Sequence, residues 1–290
     1  MKVRVRNTSS VAYRDTFPSR GRLLLREKLC SKGRQLNITQ MKYAFFIDID
    51  GTLTYGSGIP EENIKAMKKA REKGHLMLLN TGRGLRFIPR FVLKDAPLDG
   101  IVAGSGSYCS LGDRVLKAER IPKDELKAAA AFLFENGKKF LLEGENIMLC
   151  GNRHIDAEGF YDITDADELD AKYSHAIIEK INISGVLSKE QSGFLAGMFN
   201  LWQHSDYAEC AIKDCDKGAA MKYVMTALPE GFKSVAVGDS INDVDMLKAA
   251  DISVAMGNSS QQIKDMCNIV TASNGEAGLG RIIEKLTTNE

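Results

Sequence analysis

The sequence predicts a doubly wound α/β fold with a mostly parallel core sheet, interrupted by an inserted α+β domain. In both outer parts of the chain, short apolar runs alternate with segments whose apolar residues have helical spacing, which is typical of strand–helix–strand units. The apolar runs contain few polar residues, as expected of strands that helices cover on both faces. Between residues 122 and 206 this alternation stops, so the middle segment is predicted to be an insertion.

The first three predicted strands are apolar runs that end in polar residues or glycine. Residues 60–73 place apolar side chains at helical spacing, and Pro60 opens that segment while Gly74 closes it. In chain order, the predicted elements are strands at residues 43–47, 75–79 and 100–103 and helices at residues 60–73 and 85–93.

The alternation returns after residue 217 and completes the core. The predicted elements are strands at residues 234–237 and 252–255 and helices at residues 218–227, 244–250, 259–267 and 279–286. The core is therefore assigned to residues 41–118 and 208–290.

The insertion is assigned to residues 119–207. Phe199 and Trp202 lie in its second helical pattern, which predicts core packing for both side chains. The charged stretch at residues 156–170 is predicted to be a solvated loop. The other predicted elements are helices at residues 123–136 and 189–203 and strands at residues 139–142 and 147–150.

Composition and charge are typical of a globular protein without a general attraction for polyanions. The 290 residues are 44% apolar and 27% charged, and the formal net charge of +1 indicates neither a nucleic-acid partner nor a membrane surface. No apolar run is long enough to span a bilayer. The six cysteines lack Cys-x-x-Cys or zinc-site spacing, so they are predicted to be reduced thiols of a cytoplasmic protein.

Residues 1–40 differ in composition from the rest of the chain. They contain ten Lys and Arg but two Asp and Glu, a net charge of +8, and they show no clear periodicity. A disordered basic tail, a transit peptide and sequence upstream of the true start are the competing interpretations. We favour the last one, because Met41 and Lys42 directly precede the first predicted strand.

Two carboxylates follow the first predicted strand. Asp48 and Asp50 come directly after its apolar run, and Gly51 then breaks the extended backbone. Residues two apart on an extended chain point to the same side, so these charges repel each other unless a cation lies beside them. Mg²⁺ prefers such oxygen ligands. One carboxylate also suits nucleophilic attack, and the other suits general acid and base catalysis.

Polar residues follow the second strand and open a later helix. Ligands of open α/β sheets bind beyond the carboxyl ends of the strands, which is where these residues are expected. Thr81 suits a phosphate oxygen, and an N-cap role is equally consistent with its position. Arg83 is either a substrate contact or a surface charge. Lys217, at a predicted helix start, can neutralise a phosphate, although solvated surface lysines are far more common.

The strongest sequence signal for a metal site follows the fourth predicted strand, residues 234–237. Asp239 follows an apolar run that ends at Gly238, and Asn242 and Asp243 come within the next helical turn. Acidic residues favour a helix N-terminus, but capping needs only one of them. Together the three residues predict a metal site.

In this order, these segments resemble the four motifs of the haloacid-dehalogenase-like (HAD) superfamily. The matching sequences are Asp-Ile-Asp-Gly-Thr at residues 48–52, Thr81, Lys217 and Gly-Asp-Ser-Ile-Asn-Asp at residues 238–243. The insertion resembles the C2-type cap of the Cof-type phosphatase subfamily, and so does Val-Ala-Met-Gly-Asn at residues 254–258. The resemblance covers residues 41–290 and implies a Rossmann-like core with a cap.

The resemblance implies a Mg²⁺-dependent phosphatase that acts on a small phosphorylated metabolite. Asp48 would be the nucleophile that forms an aspartyl-phosphate, and Asp50 would be the general acid and base. Mg²⁺ would be held by Asp48, the main-chain carbonyl of Asp50 and Asp239. The other implied site residues are Thr81, Arg83, Lys217 and Asn242 for the phosphate or substrate and Asp243 as a supporting group.

One departure leaves the substrate open. Cof-type proteins usually show Ser-Asn-Gly after the third strand, whereas this chain has Ala-Gly-Ser-Gly-Ser at residues 103–107. Sugar, nucleotide-like and cofactor phosphates all remain candidates. A phosphomutase is an alternative on the same scaffold. A phospho-accepting signalling domain is a second alternative, which Asp50 and the large insertion disfavour. The sequence indicates no oligomeric state.

Overall fold

The computed structural model describes residues 41–144 and 147–288, which form two sheets with helices packed on them. The strands, in chain order, are β1 (Lys42–Ile47), β2 (Leu76–Asn80), β3 (Gly100–Ala103), β4 (Tyr108–Leu111), β5 (Arg114–Ala118), β6 (Phe140–Gly144), β7 (Met148–Gly151), β8 (Phe160–Ile163), β9 (Ile178–Ser184), β10 (Phe199–Gln203), β11 (Tyr207–Ile212), β12 (Phe232–Gly238), β13 (Ile252–Ala255) and β14 (Ile269–Val270). The α-helices are Glu61–Glu72, Arg90–Asp95, Lys123–Glu135, Glu168–Ala171, Lys189–Met198, Lys217–Thr226, Val244–Ala249, Gln261–Met266 and Gly278–Thr288.

The larger sheet has the order β14-β13-β12-β1-β2-β3-β4-β5, with β1 inside it. β1 runs parallel to both of its neighbours, and the register sets Ile47 opposite Val237 of β12 and Leu79 of β2. The strands from β14 to β3 are parallel, whereas β4 and β5 continue the sheet in antiparallel pairing. Because parallel strands end at the same edge, the residues that follow β1, β2 and β12 meet there.

Helices cover both faces of the larger sheet. Phe45 of β1 packs in an apolar cluster with Met67 of the helix Glu61–Glu72. Its neighbour Phe46 packs in a second cluster with Met221 of the helix Lys217–Thr226. Successive side chains of a strand point to opposite faces, so a strand between two helical layers has to be apolar at every position. The predicted α/β fold class is therefore confirmed.

The smaller sheet has the order β10-β11-β9-β6-β7-β8. One of its faces packs apolar side chains against the helices Lys123–Glu135 and Lys189–Met198. By the alternation of the strands, the other face carries buried charged residues that include Glu143, Lys180 and Glu209. Lys180 Nζ donates a hydrogen bond to the carbonyl oxygen of Gly82 at 2.8 Å, so this face contacts the loop that follows β2.

The sequence analysis predicted that residues 199–203 end a helix. In the structure they form the strand β10. They pair with β11 in antiparallel register, with Trp202 opposite Glu209. Phe199 is buried in the core as predicted, whereas Trp202 is half-buried on the strand. Because β11 belongs to this sheet, the smaller sheet extends to Ile212, five residues past the predicted end of the insertion at residue 207.

Two further segments differ from the expected elements. The predicted helix at residues 85–93 is divided into a 3₁₀ turn, Leu85–Phe87, and the helix Arg90–Asp95. Pro89 explains the division, because a residue before proline is disfavoured in the helical region, and Ile88 is extended. The segment predicted as a solvated loop, residues 156–170, contains β8 and the start of the helix Glu168–Ala171.

The expectations for residues 1–40, including Cys30, lie outside the described residues. The five other cysteines are unpaired. Within the described part of the chain, none of the helices has the length and apolar character that crossing a bilayer requires.

Candidate active site

Asp48 is the first residue after β1 and lies in the interior of the site. Its N–H donates to the carbonyl oxygen of Val237 at 3.1 Å, which continues the pairing of β1 with β12 by one residue. The residue is 4% exposed, and its carboxylate accepts a hydrogen bond from Lys217 Nζ at 2.7 Å. Because a buried carboxylate is costly without a partner, the ammonium of Lys217 stabilises Asp48 in this position.

Lys217 connects two buried carboxylates. It begins the helix Lys217–Thr226, and its Nζ lies 2.6 Å from Asp243 Oδ1 as well as 2.7 Å from Asp48 Oδ1. Burial alone would lower the pKa of Lys217, but the charges of Asp243 and Asp48 outweigh it and raise the pKa. One ammonium thus serves two carboxylates, and the excess negative charge favours a further cation.

Asp243 shapes the turn after β12. Its Oδ2 accepts hydrogen bonds from the N–H groups of Asp239 and Ser240, both at 3.0 Å, while its Oδ1 contacts Lys217. Both oxygens are therefore engaged by the protein. Gly238 leaves room for the Asp243 carboxylate, because a Cβ at position 238 would lie 2.6 Å from Asp243 Cγ. The geometry agrees with a supporting role for Asp243.

Carboxylate oxygens of Asp48, Asp239 and Asp243 lie within 4.8 Å of one another. Since Asp243 is engaged, Asp48 and Asp239 remain to offer ligand atoms. Asp239 Oδ1 accepts from the hydroxyl of Thr52 at 3.3 Å, which orients the carboxylate and leaves it further lone pairs. Hard oxygen donors with surplus negative charge are the donor set that fits Mg²⁺.

Asn258 is a site residue to which the sequence analysis gave no role. Its Nδ2 donates to the carbonyl oxygen of Gly51 at 2.9 Å and to Asp239 Oδ2 at 3.3 Å. It thereby connects the loop after β1 with the loop after β12. One feature of the sequence could have indicated Asn258: it ends the segment 254–258, just after the apolar run that forms β13 of the parallel sheet.

The two carboxylates that remain free for a metal bind protons more tightly than usual. Burial raises the pKa of Asp48, although the ammonium of Lys217 acts in the opposite direction. Burial, together with the charge of Asp243, raises the pKa of Asp239 to about 6. A divalent cation favours the ionised form of its ligands, so metal and protons compete for these two groups.

Asp50 lies further out, at the mouth of the site, with its side chain 57% exposed. Arg83 binds it through two hydrogen bonds, from Nε to Oδ2 at 2.6 Å and from Nη2 to Oδ1 at 2.9 Å. Nη1 of Arg83 also donates to the carbonyl oxygen of Phe87 at 3.1 Å. The guanidinium, predicted as a substrate contact, therefore orients the second carboxylate of the site. Its contact with substrate stays a prediction.

Thr81 and Asn242 are the last two of the site residues that the sequence predicted. Thr81 follows β2 and is buried, and its hydroxyl accepts from the N–H of Arg83 at 3.1 Å. Asn242 Oδ1 accepts from Ser240 Oγ at 2.7 Å and from Lys217 Nζ at 3.5 Å. The structure brings all eight predicted site residues to one edge of the larger sheet, while their individual roles stay predictions.

A cleft of about 350 Å³ opens onto these residues. The larger sheet lines it with residues that include Asp48, Asp50 and Asn242, and the smaller sheet lines it with His204, Tyr207 and Glu209. The sequence analysis did not find these last three residues. They lie in the turn after β10 and on β11, past the end of the helix predicted at residues 189–203, and no motif marks them.

Gly51 leaves no room for a side chain beside Asp239. Its φ is +78°, and a Cβ there would lie 2.3 Å from Asp239 Oδ2. We expect Gly51→Ala to displace the Asp239 carboxylate and to weaken Mg²⁺ binding by at least about tenfold, as measured by calorimetric titration.

Gly56 provides the matched control for this variant. Its φ is +58°, also in the left-handed region, but no atom of the described residues lies within 4 Å of a Cβ there. Gly56→Ala therefore carries similar backbone strain without the clash, and Mg²⁺ binding is expected to stay at the wild-type level. Equal weakening in both variants would show that backbone strain, and not the displaced carboxylate, reduces the affinity.

The arrangement of these residues can be compared with known families. Residues 45–283 match the model of a family described as haloacid dehalogenase-like hydrolase. The chain belongs to the HAD-like hydrolases. This match covers most of the chain and confirms the family that the four motifs predicted.

Individual relatives agree with the family match. This HAD-like hydrolase is 24% identical over 281 residues to the 5-amino-6-(5-phospho-D-ribitylamino)uracil phosphatase YwtE of Bacillus subtilis, covering 84% of this chain and 98% of that protein. It is 37% identical over 83 residues to a protein of Haemophilus influenzae with a phosphatase name, and the match spans 32% of that protein's length.

A solved structure of a sugar phosphatase of HAD subclass IIB superimposes with a TM-score of 0.72 at 24% identity, covering 84% of this HAD-like hydrolase and 99% of the solved chain. At this identity the likeness establishes the fold alone. The predicted enzyme class, a phosphatase-type hydrolase, is confirmed by the family and its relatives together.

Proposed function

We propose that this HAD-like hydrolase is a Mg²⁺-dependent phosphatase that hydrolyses a small phosphate monoester through an aspartyl-phosphate, and that it acts in the cytoplasm. The observation that carries the proposal is the buried contact of Asp48 with Lys217. The contact places the proposed nucleophile, Asp48, beside the ammonium of Lys217, which can neutralise negative charge on a phosphoryl group. The phosphatase names of the relatives support the same chemistry.

In the first proposed step, a carboxylate oxygen of Asp48 attacks the phosphorus atom while the bond from phosphorus to the ester oxygen breaks. The leaving oxygen takes a proton from Asp50, which lies at the mouth of the cleft. Lys217 balances charge on the phosphoryl oxygens, and Thr81 offers them its hydroxyl. Mg²⁺, held by Asp48, Asp239 and the carbonyl of Asp50, would neutralise further charge on the same oxygens.

In the second proposed step, water hydrolyses the aspartyl-phosphate. Asp50 accepts a proton from the attacking water, and the bond between phosphorus and Asp48 breaks. Inorganic phosphate leaves, and Asp48 is again a free carboxylate. Asp50 is exposed enough to meet both the leaving group and water, whereas Asp48 is shielded from bulk solvent.

Mg²⁺ binding is expected to strengthen as the pH rises through about 6. Metal-free Asp239 holds a proton below its pKa of about 6, so the apparent Kd should be at least about tenfold higher at pH 5 than at pH 7. The same raised pKa makes the metal-free protein less stable as the pH rises through it, because the folded chain binds a proton that the unfolded chain has released. Calorimetric titration and thermal unfolding measure the two effects.

Asp239→Asn tests the assignment. We expect this variant to bind Mg²⁺ at least about tenfold more weakly at pH 7 and to show a smaller dependence of Kd on pH. A wild-type Kd that is constant between pH 5 and pH 7 would contradict the role of Asp239 as a ligand.

Phosphate release from phenyl phosphate, with Mg²⁺ and with EDTA, tests the proposed function itself. Turnover that requires the metal supports the phosphatase. With a hexose phosphate as the substrate instead, an isomeric phosphate ester formed without released phosphate would identify a phosphomutase. A phosphoprotein that persists for hours would identify a phospho-accepting signalling domain.

A further inference from the structure

A lysine of the smaller sheet holds the loop that carries the phosphate-binding candidate Thr81. Lys180 of β9 donates from Nζ to the carbonyl oxygen of Gly82, the residue after Thr81, at 2.8 Å. The side chain of Lys180 is 3% exposed, so it depends on protein groups for its hydrogen bonds. One of these bonds therefore crosses from the smaller sheet to the loop after β2.

The direction of this ammonium is fixed within the smaller sheet. Lys180 Nζ also donates to Glu209 Oε1 at 2.7 Å, and Glu209 is itself buried. In the antiparallel register, Ala211 of β11 lies opposite Lys180, so Glu209 is the diagonal neighbour on the same face. Two strands thus hold the ammonium in place, and it reaches Gly82 from a defined side.

The carbonyl oxygen of Gly82 differs from its neighbours in where it is held. The carbonyl oxygens on either side of it, those of Thr81 and Arg83, accept from the N–H groups of residues 104–105, at 3.2 and 2.7 Å. Those residues follow β3 and belong to the larger sheet. The carbonyl between them accepts from Lys180 instead, so the smaller sheet completes the hydrogen bonding of this loop.

The peptide between Gly82 and Arg83 acts directly on the hydroxyl of Thr81. Its carbonyl oxygen is the one that Lys180 holds, and its N–H donates to Thr81 Oγ1 at 3.1 Å. Because a peptide is planar, fixing its oxygen also fixes the direction of its N–H. A hydroxyl oxygen that accepts this bond still has its own hydrogen to donate. The orientation of the peptide therefore decides where Thr81 can direct that hydrogen.

The same peptide leads into the residue that orients the second carboxylate of the site. Arg83 binds Asp50 through two hydrogen bonds. On its other side, a Cβ on Gly84 would lie 3.2 Å from Oε2 of Glu143, another buried carboxylate of the smaller sheet. The loop thus fits closely against the smaller sheet before and after Arg83, and a turn of the peptide would disturb both Thr81 and Asp50.

We propose that Lys180 is a positioning residue for the phosphoryl group: it acts through the peptide between Gly82 and Arg83, so that Thr81 donates its hydroxyl hydrogen to a phosphoryl oxygen. Lys180 itself does not touch the substrate. The smaller sheet then contributes to the part of the reaction that every phosphate ester shares. The proposal rests on the phosphatase function proposed above and adds a residue to its mechanism.

Lys180→Met tests the positioning role. We expect kcat for phenyl phosphate to fall roughly 10- to 100-fold and the inhibition constant of inorganic phosphate to rise at least about fivefold. The Kd of Mg²⁺ should change less than about threefold, because Asp48 and Asp239 follow β1 and β12 and not β2. Equal weakening of both ligands would show a purely structural role and overturn the proposal. A fall in kcat of less than about threefold would also overturn it.

Two esters with different leaving groups separate positioning from a contact with the leaving group. In Lys180→Met, kcat/KM for phenyl phosphate and for glycerol 1-phosphate should fall by the same factor within about threefold, because the two esters share the phosphoryl group. A loss confined to one ester would show that Lys180 acts on the leaving group, and it would overturn the proposal.

Lys138→Met is the matched control. Lys138 also donates to a main-chain carbonyl oxygen, that of Val186 at 3.0 Å, but it is exposed, and all constants should stay at the wild-type level. Lys180→Met leaves Glu209 buried without its cation, which is destabilising. The double variant Lys180→Met with Glu209→Gln removes both charges, and where the single variant does not fold, the same criteria apply to the double variant.

Calorimetric titration of inorganic phosphate into the Mg²⁺-loaded protein separates this proposal from the proposed function. If the wild type hydrolyses phenyl phosphate and Lys180→Met equals it, the positioning role alone is overturned. If the wild type binds phosphate but hydrolyses no ester, the phosphatase is overturned, and a phosphate Kd at least about fivefold higher in Lys180→Met would still support the role of Lys180. A wild type that neither hydrolyses esters nor binds phosphate overturns both proposals.

Discussion

Asp48→Asn is expected to reduce metal-dependent phosphate release from phenyl phosphate by at least about 10³-fold, because an amide oxygen does not replace a carboxylate as nucleophile. The variant keeps the shape of the side chain, and its amide oxygen still accepts from Lys217 Nζ, which lies 2.7 Å from Asp48 Oδ1 in the wild type. The measurement is the initial rate of phosphate release at saturating Mg²⁺.

The fold of this variant is expected to remain intact. The substitution removes one of two carboxylates that share a single ammonium, and burial already disfavours the ionised form of Asp48. Thermal unfolding should therefore stay cooperative, as in the wild type. Asp265→Asn, on the exposed side of the helix Gln261–Met266, is the matched control with unchanged activity. Activity of Asp48→Asn above about one tenth of the wild-type value would exclude Asp48 as the nucleophile.

Lys217→Met is expected to remove activity and also to lower the free energy of unfolding by about 3–5 kcal/mol at pH 7. The side chain of Lys217 is 1% exposed and contacts two carboxylates that are themselves buried. Without the ammonium, both acids remain in the interior with no cation beside them. Denaturant unfolding of the metal-free protein measures the loss.

The loss of stability in Lys217→Met should shrink as the pH falls from about 9 to 7. Burial raises the pKa of Asp48 even while Lys217 opposes it, so removal of the ammonium raises that pKa further. A group whose folded pKa is raised contributes stability at low pH and loses it as the pH rises through the folded value. Asp48 has a pKa of about 8 in the wild type and a higher one in the variant, so its protonation as the pH falls to 7 removes a buried charge that the variant cannot balance.

Lys222→Met is the control for this experiment, because Lys222 is exposed on the same helix. It is expected to change the free energy of unfolding by less than about 0.5 kcal/mol. A deficit in Lys217→Met that is as small as this, or one that grows as the pH falls from about 9 to 7, would contradict a buried ionic centre. Mg²⁺ at saturating concentration should reduce the deficit, since it supplies positive charge to Asp48.

The core of the site was predictable because its signals are local. Asp48 and Asp239 each follow an apolar run, and parallel strands deliver such residues to one edge whatever their separation along the chain. The partner of Asp50 was not predictable. Arg83 lies 33 residues further on, and its guanidinium reaches Asp50 only through the path of the loop after β2.

The wall of the cleft was not predictable for a different reason. Residues 199–203 have an apolar pattern that agrees with either a helix or a strand, and the pairing with β11 decides between them. Glu209 lies on β11 among apolar neighbours, so the sequence marks a buried strand but not the direction of its one charged side chain. That direction follows from the alternation of the strand, which puts Glu209 and Lys180 on one face.

The place of β1 between β2 and β12 has a consequence for the growing polypeptide on the ribosome. β1 pairs with β12 along its whole length, yet Lys217 and Asp48 are 169 residues apart. At about 5–20 residues per second, roughly 10–30 s pass between the synthesis of these two residues. During this time β1 has an open edge of apolar residues, which is a template for intermolecular pairing. Chains that stop before β12 are therefore inactive, and they are the ones most in need of a chaperone.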